Sequence, residues 1–96
     1  MSKRELLNRH RARILALAAR HGARHVRVAG SVARGEETEA SDVDFLVEME
    51  AGRSLLDRAS LLVELEDLLG CKVDVVNERG TRPRIREALR RDAVLL

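Results

Sequence analysis

Gly30-Ser31-Val32-Ala33-Arg34-Gly35, followed by Ser41-Asp42-Val43-Asp44-Phe45-Leu46-Val47, is the stretch of this chain on which the fold turns. Its second half alternates as a strand does. Val43, Phe45 and Val47 fall on one face, and Asp42, Asp44 and Leu46 on the other. Its first half opens where a short apolar strand, His25 to Ala29 with Val26 and Val28 on one side, is broken by a glycine. Ser31 to Arg34 then reads as one helical turn ending at Gly35, and Glu36 to Ala40 as a polar loop. A strand, a tight glycine-serine turn and a second strand opening on two carboxylates form the centre of the prediction.

The flanking segments supply the packing. Leu7, Ile14, Leu17 and Ala18 recur at helical spacing and predict an amphipathic helix from about Arg4 to His21, stopped at Gly22. After a turn at Gly52, Ser54 is placed to cap a long helix running to about Leu69. Its broad apolar stripe (Leu55, Leu56, Ala59, Leu62, Val63, Leu65, Leu68, Leu69) is expected to cover the sheet. Gly70 closes that helix. Lys72 to Val76 reads as a third strand, with Val73 and Val75 opposing Lys72, Asp74 and Val76. An Asn77-Glu78-Arg79-Gly80 turn follows, and Pro83 suits the first turn of a last helix carrying Ile85, Ala88 and Leu89. The tail Ala93-Val94-Leu95-Leu96 is apolar enough to need a partner surface. The order αβ(α)βαβα predicts an α/β (α+β) fold, a small mixed β-sheet with helices packed on it.

With 96 residues the chain has room for one domain and one small core, so residues 1–96 are expected to form a single domain. An apolar fraction of 45% beside 35% charged residues describes a soluble globular chain and not a disordered one. No apolar run approaches the roughly 20 residues that span a bilayer, and the charged amphipathic start does not resemble a signal peptide. A cytoplasmic location with no membrane partner is the expectation. Cys71 is the only cysteine, which excludes an internal disulfide and a cysteine zinc site; it reads as a small buried thiol at a strand start. His10, His21 and His25 are scattered, as helix-surface or loop residues. Arginines crowd both ends, yet the net charge is only +2 and Phe45 is the sole aromatic side chain. Without stacking platforms there is no strong sign of direct nucleic-acid binding.

The chemistry gathers at one strand end. Asp42 and Asp44 leave the same face of their strand, and Asp74 joins them if the two strands are neighbours. Like charges 4 Å apart repel by roughly 1 kcal/mol in water and about 4 kcal/mol at an effective dielectric of 20. Folding alone gives no reason to gather them, whereas Mg²⁺ takes one or two carboxylates together with substrate phosphates. The Gly30-Ser31 turn supplies backbone that an anion approaches closely, with a helix start behind it and a hydroxyl donor. Arg34, one turn on, either reaches a phosphate or braces the loop. Alone, an Asp-x-Asp reads as a solvated strand edge and a Gly-Ser pair as punctuation. Their order, spacing and facing make the combination specific.

These two runs, with Val73-Asp74-Val75-Val76, resemble the DNA polymerase β-like nucleotidyltransferase superfamily. Within it the chain is similar to the minimal nucleotidyltransferases, the antitoxin half of HEPN/MNT toxin–antitoxin modules. The likeness covers nearly the whole chain and departs nowhere from the core motif; the added substrate-binding domain of larger relatives is missing. It implies a polymerase β-like nucleotidyltransferase core in which Asp42, Asp44 and Asp74 are the catalytic and metal-binding residues for two Mg²⁺ ions. Gly30, Ser31, Arg34 and Ser41 would be the nucleotide-binding residues, and ATP the substrate. Asp74 would complete the acceptor-side metal site or act as general base. The implied reaction adds AMP to a hydroxyl, a tyrosine's, on a HEPN-type ribonuclease toxin held in a hetero-oligomeric complex; this chain contains no tyrosine. Two alternatives stand beside it: an antitoxin that neutralises by occlusion alone, and nucleotide transfer to an RNA end or a small molecule.

Overall fold

The computed structural model describes residues 2–96. The expected first helix is two helices, α1 (Lys3–Arg9) and α2 (Arg11–Arg20), meeting at His10. Ser2 caps the first of them, its hydroxyl accepting the Glu5 N–H at 3.1 Å. The apolar periodicity runs through both helices, so it carried no signal of the break. Strand β1 (Ala23–Ala29) enters the short helix α3 (Gly30–Arg34), and β2 (Val43–Met49) follows the loop. Helix α4 (Leu55–Leu69) starts at a capping box between Ser54 and Asp57 and ends at Gly70 in the left-handed region. Then come β3 (Val73–Asn77), a 3-10 turn at Glu78–Gly80, α5 (Pro83–Asp92) and a two-residue strand β4 (Val94–Leu95).

The four strands lie in the order β3-β2-β1-β4, with β2 parallel to β3 and the other pairs antiparallel. The sheet is mixed, as expected. The apolar tail is held through its backbone, Val94 and Leu95 pairing with Val28 and Arg27 and the Leu96 N–H donating to the Val26 carbonyl at 3.0 Å, while the Val94 and Leu95 side chains stay exposed.

One face of the sheet, with Val26, Val28, Val43, Phe45, Val47, Val73 and Val75, packs beneath Ile14 and Ala18 of α2 and Leu61, Leu65 and Leu69 of α4. Leu61 has no exposed surface. Truncating it to alanine should cost about 2–5 kcal/mol, a large share of the roughly 5–15 kcal/mol that holds a small domain together. A urea denaturation midpoint unchanged in Leu61→Ala would contradict this placement of the core. Helix α4 also seals the outer edge of β3. The Val73 N–H donates to Glu66 Oε2 at 3.1 Å, and Arg58 Nη1 donates to the Val75 carbonyl at 2.8 Å. Unpaired edge groups are thereby withdrawn from a passing strand.

Helix α5 contributes no buried residue. It is tied on by charge instead. Glu78, 8% exposed and the only buried charged side chain among the described residues, receives Arg90 at 2.6 Å and Arg27 at 3.3 Å. Among the described residues no helix is long and apolar enough to cross a membrane.

Candidate functional site

The sheet's topology brings the expected residues together. Because β2 and β3 run parallel and in register, Asp44 stands beside Asp74, and Val43 beside Val73. The antiparallel partner of Asp44 on its other side is Ala29, the residue before Gly30. The C-terminal end of β1 and the N-terminal ends of β2 and β3 therefore meet at one edge, where Gly30, Asp42, Asp44 and Asp74 collect. Asp42 and Asp74 are exposed, while Asp44 is half-buried.

Gly30 has φ +67°, and a Cβ built there would collide with the Asp44 carboxylate. Glycine is thus required twice over, by the backbone conformation and by the carboxylate pressed against it. The sequence reading asked for glycine so that a phosphate could approach; the structure adds that Asp44 occupies the space a side chain would take.

Burial is the first cause that raises the Asp44 pKa above its ordinary value. The negative charges of Asp74 and Asp42 raise it further, and Arg34 opposes them. Asp44 therefore feels the charge of both other carboxylates. Even so, among the described residues no three His, Cys, Asp or Glu side chains close into a ready metal-holding group. The carboxylates form an open edge and not a cage. An open carboxylate edge is a donor set that Mg²⁺ accepts, since it keeps waters and takes substrate phosphates as further ligands.

The remaining expected residues divide. Ser31 is the second residue of α3, directly after Gly30, and its carbonyl accepts the Glu36 N–H at 2.9 Å. Arg34 braces: its Nε meets Glu36 at 2.9 Å and its Nη1 lies 3.8 Å from Asp92 at the end of α5. The Glu36 hydrogen bond is the main reason its pKa is raised. Of the two roles left open from the sequence, the loop brace is the one this arrangement displays. Ser41 closes the loop before Asp42, its hydroxyl accepting the Thr38 N–H at 2.8 Å and its own N–H donating to the Thr38 carbonyl at 3.0 Å. Cys71, expected as a buried thiol at a strand start, lies two residues before β3 and is only half-buried, with its thiol pKa raised first by burial.

Two features escaped the sequence reading. The buried Glu78 triad was hidden because Arg27, Glu78 and Arg90 lie far apart in the chain. The other is Lys3, whose ammonium donates to the carbonyls of Thr38, Glu39 and Ser41. A lysine in a helix's first turn gives no signal of a distant loop.

Known proteins share this construction. The nucleotidyltransferase domain family matches residues 13–96. Protein adenylyltransferase MntA of Thermococcus cleftensis is 42% identical over 78 residues, 81% of this chain and 79% of its own length. A solved structure assigned as a minimal nucleotidyltransferase superimposes with a TM-score of 0.88 at 56% identity, covering 97% of this chain and 95% of that one. The crystal structure of a toxin–antitoxin with AMP-PNP shares the fold, at a TM-score of 0.77 and 20% identity over 88% of this chain and 69% of that one. The chain belongs to the nucleotidyltransferase domain family, as a minimal nucleotidyltransferase of the polymerase β-like superfamily.

Proposed function

We propose that this chain is a cytoplasmic, Mg²⁺-dependent protein adenylyltransferase that transfers AMP from ATP to a hydroxyl, a tyrosine's, on a HEPN-type toxin, and so acts as its antitoxin. The observation that carries the reading is the placing of Asp44 beside Asp74 in register, with Asp42 on the same face and Gly30 against the Asp44 carboxylate. Like charges crowded at the cost of a raised pKa serve a site that meets cations. The adenylyltransferase relative and the AMP-PNP toxin–antitoxin neighbour support the choice of nucleotide and partner class.

In this reading Asp42, Asp44 and Asp74 would hold Mg²⁺, which when bound supplies charge neutralisation for the triphosphate and a more acidic acceptor hydroxyl. Gly30 and Ser31 hold the outer phosphates against the start of α3. Asp74, exposed at the edge, faces the incoming acceptor and takes its proton as general base, or completes the acceptor-side ligands. The acceptor oxygen forms its bond to the α-phosphorus as the bond to the bridging oxygen breaks, and pyrophosphate leaves. Arg34 holds Glu36 and the end of α5 so that the loop from Gly35 to Ser41 keeps its course.

The test is direct. The chain, its HEPN-type partner, ATP and Mg²⁺ are incubated together, and the partner's intact mass is followed. A gain of one or more AMP units is expected, abolished by Asp42→Asn with Asp44→Asn. Full neutralisation of the partner by that double variant, with no mass gain, would show that occlusion and not catalysis silences the toxin.

A further inference from the structure

The loop that delivers Asp42 is organised by a residue from the first helix. Lys3 occupies the first turn of α1. Its backbone N–H, one of the donors that a helix start leaves without an internal partner, donates to Glu37 Oε2 at 2.8 Å. Its Nζ donates to the carbonyls of Thr38 at 3.0 Å and Glu39 at 2.9 Å, and to that of Ser41. Three carbonyl oxygens aimed at one point repel unless a cation lies between them. An ammonium group has three donors in a compact tetrahedral head and matches three acceptors. A guanidinium is planar and presents its donors as a fork, so it does not fit the same point. Only Lys3 and Lys72 are lysines among the 18 basic side chains; arginine serves everywhere else. The loop itself carries Glu36, Glu37 and Glu39, which makes a positive centre beneath it doubly favourable.

We propose that Lys3 is a positioning residue for the carboxylate edge: its ammonium is a built-in cation that folds the 38–41 loop around itself and so fixes where Asp42 enters beside Asp44. The last carbonyl it holds belongs to Ser41, whose peptide bond leads directly into Asp42. Release of that carbonyl frees the Asp42 backbone on its upstream side, while Val43 stays held by its bond to the Lys72 carbonyl. The inference rests on the reading that Asp42 serves the site.

Lys3→Met keeps the stem and removes the charge and donors. In the chain alone, without metal or nucleotide, hydrogen exchange of the Thr38 and Ser41 amides, both hydrogen-bonded within the loop, is expected to quicken roughly tenfold or more, with little change in the urea midpoint. Affinity for Mn²⁺, read by calorimetry, should fall, and AMP transfer should slow by about 10- to 100-fold, as misplacement of a reacting group does. Lys3→Arg should behave like Lys3→Met. In Lys3→Ala, added ethylammonium should restore loop protection and transfer, and tetramethylammonium, which has no N–H, should not.

Unchanged exchange in Lys3→Met, or full activity in Lys3→Arg, overturns the proposal. Asp42→Asn measured alongside separates the two readings. If Asp42→Asn transfers AMP normally, the site assignment fails. If it does not while Lys3→Met does, the assignment stands and the clamp fails.

Discussion

Asp44→Asn is expected to stop nucleotidyl transfer and at the same time to make the metal-free protein more stable at neutral pH. The loss of activity should be roughly a thousandfold or more, the scale on which removal of one preorganised charge at a reacting centre is felt. The gain in stability follows from the crowding. Burial and the charges of Asp74 and Asp42 hold the Asp44 pKa above the ordinary 3.8. In the window between the unfolded and folded values the native state binds more protons than the unfolded one. Stability therefore falls as pH rises through that window, and the cost persists above it. Asparagine cannot ionise, so the variant escapes this fall. Thermal melts from pH 3.5 to 7 should show the wild type losing stability relative to Asp44→Asn as the pH rises. Mg²⁺ or Mn²⁺ should then stabilise the wild type and leave the variant unmoved, because ligand binding stabilises only the state that binds it. A variant that melts below the wild type throughout this range, without metal, would sink the crowding argument.

What was legible in the sequence was whatever is written in short-range order. The alternation across Val43 to Val47 places Asp42 and Asp44 on one face, and the valines around Asp74 orient the third carboxylate independently of any strand pairing. The break between α1 and α2 at His10 was not legible, because apolar spacing alone carries no record of a hydrogen-bond interruption. The tail was recognised as apolar but not as a strand, since a two-residue edge leaves too little alternation to read. Contacts between distant polar side chains were invisible for a different reason. Neither the Lys3 clamp nor the Glu78 triad has any periodic signature; each depends on a backbone course that only the whole fold defines. In the same way the sequence supplied Gly30 with a plausible task at a phosphate, and only the three-dimensional arrangement revealed the carboxylate behind it.

Gly30→Ala should damage both stability and transfer, and Gly35→Ala is its natural control. Both glycines have positive φ, +67° and +72°. An alanine in that region costs about 1–2 kcal/mol at either position. Beyond that the two differ. A Cβ on Gly35 meets nothing within 4 Å, whereas one on Gly30 runs into the Asp44 carboxylate. Relief of that overlap must move either the start of α3 or Asp44, at a further cost of about 1–3 kcal/mol, as overpacking elsewhere does. Either movement displaces a residue assigned to the phosphate or the cation, and transfer should fall by roughly a hundredfold. Gly35→Ala should keep activity near the wild-type level. A double-mutant cycle isolates the contact. In an Asp44→Ala background the oxygen is gone, so the stability penalty of Gly30→Ala should shrink to that of Gly35→Ala in urea denaturation. A penalty that stays undiminished in that background would mean that backbone strain alone, and not the carboxylate, makes glycine necessary at this position.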